Sequence, residues 1–402
     1  MCKKSSKCLK NCISIENRIE IRKNKMNIES WIDHNLALRR RVVSPDGRYL
    51  LASFPGTKQA TDIKQRTPLV GDYGRVKINV KALSAAERLK QGLPPLDPDN
   101  GAAINEAIKQ EFDMPLWASH SGISVPVLDL NNTFVYQLKG CNLHCPWCYV
   151  DDSNRNGERE GGKFFSVSAI LDIFVQEQRR RKKSEDPDGP VYNIRPSGGE
   201  MTLDGGWHWL RLLRLIQNRS VRAYVQGDTN LTTGSYMEAL ESMGLIKDHT
   251  LDKVGDFRNF GLLCSFKGTD TESFLSATGM PDSYAFLEEE RWRTFAGFVR
   301  AGIDAYPFVY DPDPRTLKAF MEKGAQLFGE NFILKTWASP LKPYGPEKAR
   351  LQARGIDPEK YQRSLDEKFR QAEEVMQEVV HRTFRKNYKD VPIAGLVLKA
   401  AA

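Results

Sequence analysis

The 402-residue sequence contains no run of 18 or more apolar residues, so no membrane-crossing helix is expected. Its first residues, MCKKSSKCLKNC, are basic but have no apolar stretch behind them, and no secretory signal is expected. No internal repeat or low-complexity tract interrupts the chain, which argues against a solenoid. Cysteine is scarce: seven residues fall into three groups, namely Cys2, Cys8 and Cys12, then Cys141, Cys145 and Cys148, then Cys264 alone. An odd number without spread pairs excludes a disulfide frame and points to metal ligation in a reducing, cytoplasmic compartment.

What is present is ordinary in bulk, with 40% hydrophobic and 27% charged residues, enough for a large core and more than one structural unit. The net charge of +8 suggests an anionic partner, but residues 1–25 account for +6 of it. A solvated, disordered leader over 1–26 is the expectation, with Met26 an alternative start. Residues 27–125 read as an accessory region. In it SPDG at 44–47 marks a turn between two short strands, and LPPLDPDNG at 93–101 connects helices near 84–91 and 101–111. His34 and His120 are isolated and read as surface or hydrogen-bonded side chains.

From 126 to 340, strand-like and helix-like stretches alternate, which predicts an α/β fold with a parallel sheet. The candidate strands are 133–138, 191–195, 221–226, 261–266, 303–310 and 332–337. Between the second and third, Trp209, Leu212, Leu213 and Ile216 recur at helical spacing. Before the last strand, Asp313 and Pro314 are expected to open a helix that ends near Gly324 or Gly329. Six such βα units predict a partial (β/α)6 barrel. Over 341–402 a loop leads into a long C-terminal helix near 358–385, whose stripe Leu365, Phe369, Ala372, Met376 and Val379 is expected to pack on the sheet.

The most informative segment is FVYQLKG-CNLHCPWCYV. Cys141, Cys145 and Cys148 follow a strand end directly, where α/β barrels keep their chemistry. Three soft thiolates within eight residues suit one face of an iron–sulfur cluster and leave one iron open to another ligand. Zinc is the competing metal, with His144 or Cys264 as fourth ligand, although structural zinc sites come as two separated pairs. Cys264, alternating away from Ser265 and Lys267 along its strand, reads as a buried structural residue.

C-x3-C-x2-C with the aromatic Trp147 before the last cysteine resembles the hallmark of the radical S-adenosylmethionine (SAM) superfamily. PSGGEMTL, with Gly198, Gly199 and Glu200 at the next strand end, is similar to that family's GGE signature. YVQGDTN places Thr229 and Asn230 where the family has a TNG-like turn, but Leu231 stands where glycine is usual. LLCSFKGTD, with Ser265 and Lys267, is similar to a segment of the glycyl-radical-activating branch.

The resemblance covers about half the chain. It implies a [4Fe-4S] cluster on the three cysteines and reductive cleavage of SAM to methionine and a 5′-deoxyadenosyl radical, which takes a hydrogen atom from substrate. Gly198, Gly199 and Glu200 would grip the methionine amino group of SAM, Lys267 its carboxylate or ribose, while Thr229, Asn230 and Ser265 would line the wall. A reductant such as flavodoxin or ferredoxin is implied. No cysteine follows Cys264, so no C-terminal second cluster is expected; Cys2, Cys8 and Cys12 lack the spacing expected of an N-terminal one. The substrate is left open between a protein, as for an activating enzyme, and RNA or a nucleotide, and a zinc-stabilised binding module stands as the non-enzymatic alternative.

Overall fold

The computed structural model describes residues 27–55, 69–78, 132–184, 189–339, 345–388, 391 and 395–400. The leader with Cys2, Cys8, Cys12 and Met26, the helices expected near 84–91 and 101–111, and His120 lie outside them. Among the described residues no helix is long and apolar enough to cross a membrane.

The strands are β1 (Tyr49–Ala52), β2 (Leu69–Val70), β3 (Gly74–Ile78), β4 (Asn132–Leu138), β5 (Gly162–Phe165), β6 (Asn193–Gly198), β7 (Tyr224–Thr229), β8 (Phe260–Lys267), β9 (Asp304–Tyr310) and β10 (Trp337–Ser339). They form one sheet in the order β10-β9-β8-β7-β6-β4-β1-β5, with β3 also paired to β4 and β2 to β3. From β4 to β10 the neighbours along this path are parallel and in chain order. The free edge of β4 is covered by antiparallel pairing, β3 along its first half and β1 at Leu138. A parallel sheet needs a crossover between strands, and helices supply it. They are α1 (27–42), α2 (Asp152–Arg155), α3 (Val167–Ser184), α4 (Trp207–Asn218), α5 (Gly234–Ser242), α6 (Thr250–Gly255), α7 (Thr271–Thr278), α8 (Leu287–Arg300), α9 (Leu317–Phe328), α10 (Asn331–Lys335), α11 (Gly345–Ala353) and α12 (Pro358–Phe384).

The two faces of the parallel strands differ in chemistry. Phe134, Ile194, Val225, Leu262, Cys264, Phe266 and Val309 lie in the helix-covered apolar core. Their alternates include the buried polar side chains Gln137, Arg195, Gln226, Ser265 and Lys267 beside apolar ones such as Val135, Leu263 and Phe308, because strand side chains alternate between faces. Trp209, Leu212, Leu213 and Ile216 of α4 are all buried in that core, each contributing about 1.5–3 kcal/mol by area. On α12, Leu365, Ala372, Met376 and Val379 are buried, and Phe369 packs partly buried on the core.

Several boundaries differ from expectation. The second and third parallel strands run two to three residues later than expected, through Pro196-Ser197-Gly198 and Gly227-Asp228-Thr229, residue types that disfavour strands in isolation. The run expected as a last strand at 332–337 is mostly helix α10, and the strand itself is β10. A short apolar run suits either state. Here Phe332 packs against Gly324, so closely that a Cβ there would lie 2.1 Å from its ring, and the helix brings it in. The turn at 44–47 follows α1 rather than a strand, with one bridge from Val43 to Tyr49. Asp313 does not cap α9. Its carboxylate accepts from the Arg315 N–H at 2.9 Å, and Pro314 lies in a preceding turn closed by Leu317 N–H on the Asp313 carbonyl. The helix ends at Gly329.

Candidate functional site

The site is built where β4 and β6 end. Beyond Leu138 the chain turns at Gly140, whose φ of +90° suits glycine. Gly140 N–H and Cys141 N–H donate to the carbonyls of Asn154 and Arg155, both at 2.8 Å, so the cysteine loop is tied at once to α2. The GGE segment lies against the same turn. Gly199 N–H donates to the Leu138 carbonyl and Glu200 N–H to the Gly140 carbonyl, each at 2.8 Å. A Cβ on Gly199 would stand 2.2 Å from the Gly140 oxygen, so only glycine permits this approach.

The three central cysteines gather on one apolar patch. Cys145 is buried with Trp31, Leu143, Trp147, Phe274, Leu287 and Leu365, and Cys141 and Cys148 pack against them half-buried. All three are free thiols. Burial pushes the Cys145 thiol up to about 11, with Lys267 opposing, and pushes Cys141 further the same way, reinforced by Cys145 and Glu200. Such thiols are neutral near pH 7 until a metal displaces their protons. Among the described residues no group of three or more His, Cys, Asp or Glu side chains is arranged to hold a metal ion. The donor set is nevertheless one ligand short of a closed four-coordinate zinc site and compatible with an iron–sulfur cluster, which thiolates also hold. It is sulfur alone, since His144 is exposed and Cys264 is buried in the helix-covered core.

Glu200, Thr229 and Asn230 form one network. The Glu200 carboxylate accepts from Thr202 N–H at 3.1 Å, Thr202 hydroxyl at 2.5 Å, Thr229 hydroxyl at 2.8 Å and Asn230 N–H at 2.7 Å. Thr202 and Thr229 donate to Oε1 and Asn230 N–H alone to Oε2, so Oε1 is filled while Oε2 keeps an acceptor position. Burial, the largest influence, raises its pKa against these hydrogen bonds. The Asn230 amide donates to Asn142 Oδ1 at 2.7 Å and approaches Cys141 Sγ at 3.7 Å. Leu231, where glycine is usual, has φ of +67° and is fully buried. The left-handed conformation is kept, with about 1–2 kcal/mol of strain for a side-chain-bearing residue.

Ser265 and Lys267 share the polar face, as their alternation requires, paired with Phe308 and Tyr310 of β9. Lys267 is not solvated: it is 8% exposed, its ammonium 3.9 Å from the Tyr310 ring centroid and 4.6 Å from that of Trp147. These two rings stack on each other at 5.2 Å. Burial lowers the Lys267 pKa, and the three cysteines oppose that shift.

Sequence reasoning missed the polar supports. Asn142 also donates to Asn35 Oδ1 at 2.8 Å and Thr232 Oγ1 at 3.0 Å, while Trp31 Nε1–H donates to the Thr232 carbonyl at 2.7 Å. Helix α1 of the accessory region thus abuts the cysteine loop. An asparagine between two closely spaced cysteines was the available signal. Arg155 and Arg350, which donate to the carbonyls of Cys145 and Cys148, carried none.

No family model matches the chain, and no curated protein matches its sequence. Among solved structures, it is similar to that of TYW1 with a lysine-pyruvate adduct bound, over 66% of this chain and 76% of that one, at 11% identity and a TM-score of 0.32. A likeness that loose carries no argument about fold or activity.

Proposed function

We propose that the chain is a radical SAM enzyme, with Cys141, Cys145 and Cys148 holding a [4Fe-4S] cluster and the parallel strands forming a partial barrel around SAM and substrate. The observation that carries the reading is three free cysteines gathered at the carboxyl end of β4, with the two-glycine end of β6 hydrogen-bonded to Leu138 and Gly140 just before them. A cluster held by Cys141, Cys145 and Cys148 would supply, when reduced, the single electron for cleavage of the C5′–S bond of SAM to methionine and a 5′-deoxyadenosyl radical, the species that would take a substrate hydrogen.

The chain's own residues orient and exclude. Gly198 and Gly199 let the end of β6 close on the β4 turn, where a Cβ would strike Gln137 or the Gly140 oxygen, which would bring the GGE backbone beside SAM. Glu200 fixes the turn that carries Thr229 and Asn230, and its Oε2, which accepts from Asn230 N–H, keeps a position for the SAM ammonium. Lys267, a buried cation beside the cysteines, supplies charge for the SAM carboxylate, and Ser265 lines the same wall. A low-potential donor such as flavodoxin or ferredoxin is the fitting reductant. For substrate, a protein is favoured by the SFKGTD segment alone.

The test is anaerobic reconstitution. Iron, sulfide and broad absorption near ~400 nm are expected, with deoxyadenosine formed from SAM and lost in Cys145→Ala. A chain that binds zinc but no iron, or that forms deoxyadenosine without Cys145, overturns the reading.

A further inference from the structure

The loop bearing Cys145 and Cys148 is held from outside by two arginines and one carboxylate. Arg155 of α2 donates through Nη1 to the Cys145 carbonyl at 3.0 Å, and its Nη2 lies 2.7 Å from Asp152 Oδ1. Arg350, almost two hundred residues later on α11, donates through Nη1 to the Cys148 carbonyl and through Nη2 to the Val150 carbonyl at 2.6 Å. Its Nε and Nη2 also reach Asp152 Oδ1, at 3.1 and 2.9 Å. Both arginine side chains are largely buried, while Asp152 is half exposed. Two guanidinium forks thus meet on one oxygen and each grips the backbone of a different cysteine. A fork donates in several fixed directions at once, which a lysine ammonium does not reproduce.

We propose that Asp152, Arg155 and Arg350 form a brace whose work is to fix the relative positions of Cys145 and Cys148 for the cluster; the inference rests on the cluster reading above. Arg350 is a positioning residue, acting on Cys148 through its carbonyl and that of Val150. The brace also makes α11 a part of the site: release of Arg350 frees the loop on its outer side while the inner bonds of Gly140 and Cys141 to α2 remain. Surface ion pairs alone contribute little, so the carbonyl contacts carry the effect.

The test uses the reduced, metal-free full chain and reads alkylation of Cys145 and Cys148 by iodoacetamide, with Cys264 as the buried control. In Arg350→Ala, Cys148 is expected to react about tenfold faster through local opening, with Cys264 and the melting temperature unchanged. Arg350→Lys is expected to restore charge without restoring protection. Should either variant unfold, Asp152→Ala removes the shared oxygen and is expected to speed both cysteines. In reconstituted protein, the same variants should release iron faster to a chelator and shift the cluster's electron paramagnetic resonance signal. Alkylation rates equal to wild type in Arg350→Ala and Asp152→Ala, or full protection in Arg350→Lys, overturn the brace. Wild-type protein that takes up no iron, with the alkylation pattern as expected, overturns the cluster reading instead.

Discussion

The Glu200 carboxylate accepts the Asn230 N–H at 2.7 Å, joining the end of β6 to the end of β7. With Thr202 and Thr229 donating to the other oxygen, Oε1, the side chain acts as a buried peg between two site turns. Glu200→Gln keeps the shape but turns an NH2 group toward at least one donor. A buried unsatisfied donor costs about 1–3 kcal/mol, so the variant is expected to lose that much stability in denaturant without any ligand present. A variant as stable as wild type that nonetheless fails to bind SAM would make Glu200 a ligand contact alone.

Gly199 makes a steric prediction at the site itself. Its Cβ would meet a backbone oxygen at 2.2 Å, and backbone yields only by moving β4 against β6. Gly199→Ala is expected to destabilise by about 2 kcal/mol or more. Gly297, inside α8 with nothing within 4 Å of its Cβ position, is the contrast: Gly297→Ala should stabilise by about 0.5–1 kcal/mol. Thermal melts of the two variants settle it, and equal effects would mean the tight approach is not a constraint.

Lys267 is predicted to be a binding residue, not a structural one. Its ammonium gains from Tyr310 and Trp147, worth about 0.5–2 kcal/mol, but burial works against the charge. Lys267→Met keeps the stem among the aromatic rings, where a thioether also packs well. Stability within about 1 kcal/mol of wild type is expected, together with roughly tenfold weaker SAM binding by calorimetry. Intact affinity with a large stability loss would assign the lysine to the fold.

The parts of the fold read correctly from sequence were those with a strong period. The α4 stripe around Trp209 and the α12 stripe around Met376 each present one apolar face, and the fully buried β8 reads as an unbroken run. The strand ends that shape the site were harder. Pro196 to Gly198 and Gly227 to Thr229 have loop-like composition, and only pairing with neighbouring strands holds them extended. The cysteine and glycine positions were legible because their chemistry is local. Asn142, Arg155 and Arg350 were not, since their meaning lies in partners far along the chain.

The last prediction concerns pH and a carboxylate away from the cysteines. Asp204 is buried after the GGE turn and accepts from the Tyr49 hydroxyl at 2.5 Å and from the N–H groups of His208 and Gly206 at 2.7 and 3.1 Å. Burial outweighs these bonds and lifts its pKa from 3.8 to about 6. Between those values the folded chain holds a proton that the unfolded chain has released, so this group's contribution to stability is full below about pH 4 and is lost as pH rises through 6. Neighbouring His208 works in the opposite sense, because burial lowers its pKa from 6.5 to about 3 and its contribution is lost as pH falls. The net curve therefore hides both, and the difference between wild type and Asp204→Asn isolates the carboxylate. Asparagine lacks the second acceptor and should be less stable throughout. Its deficit should be largest near pH 4 and shrink toward pH 7, by roughly 3 kcal/mol at most. Urea denaturation at both pH values measures the gap; a deficit that stays constant or widens toward pH 7 means that Asp204 is ionised in the folded chain from pH 4 upward.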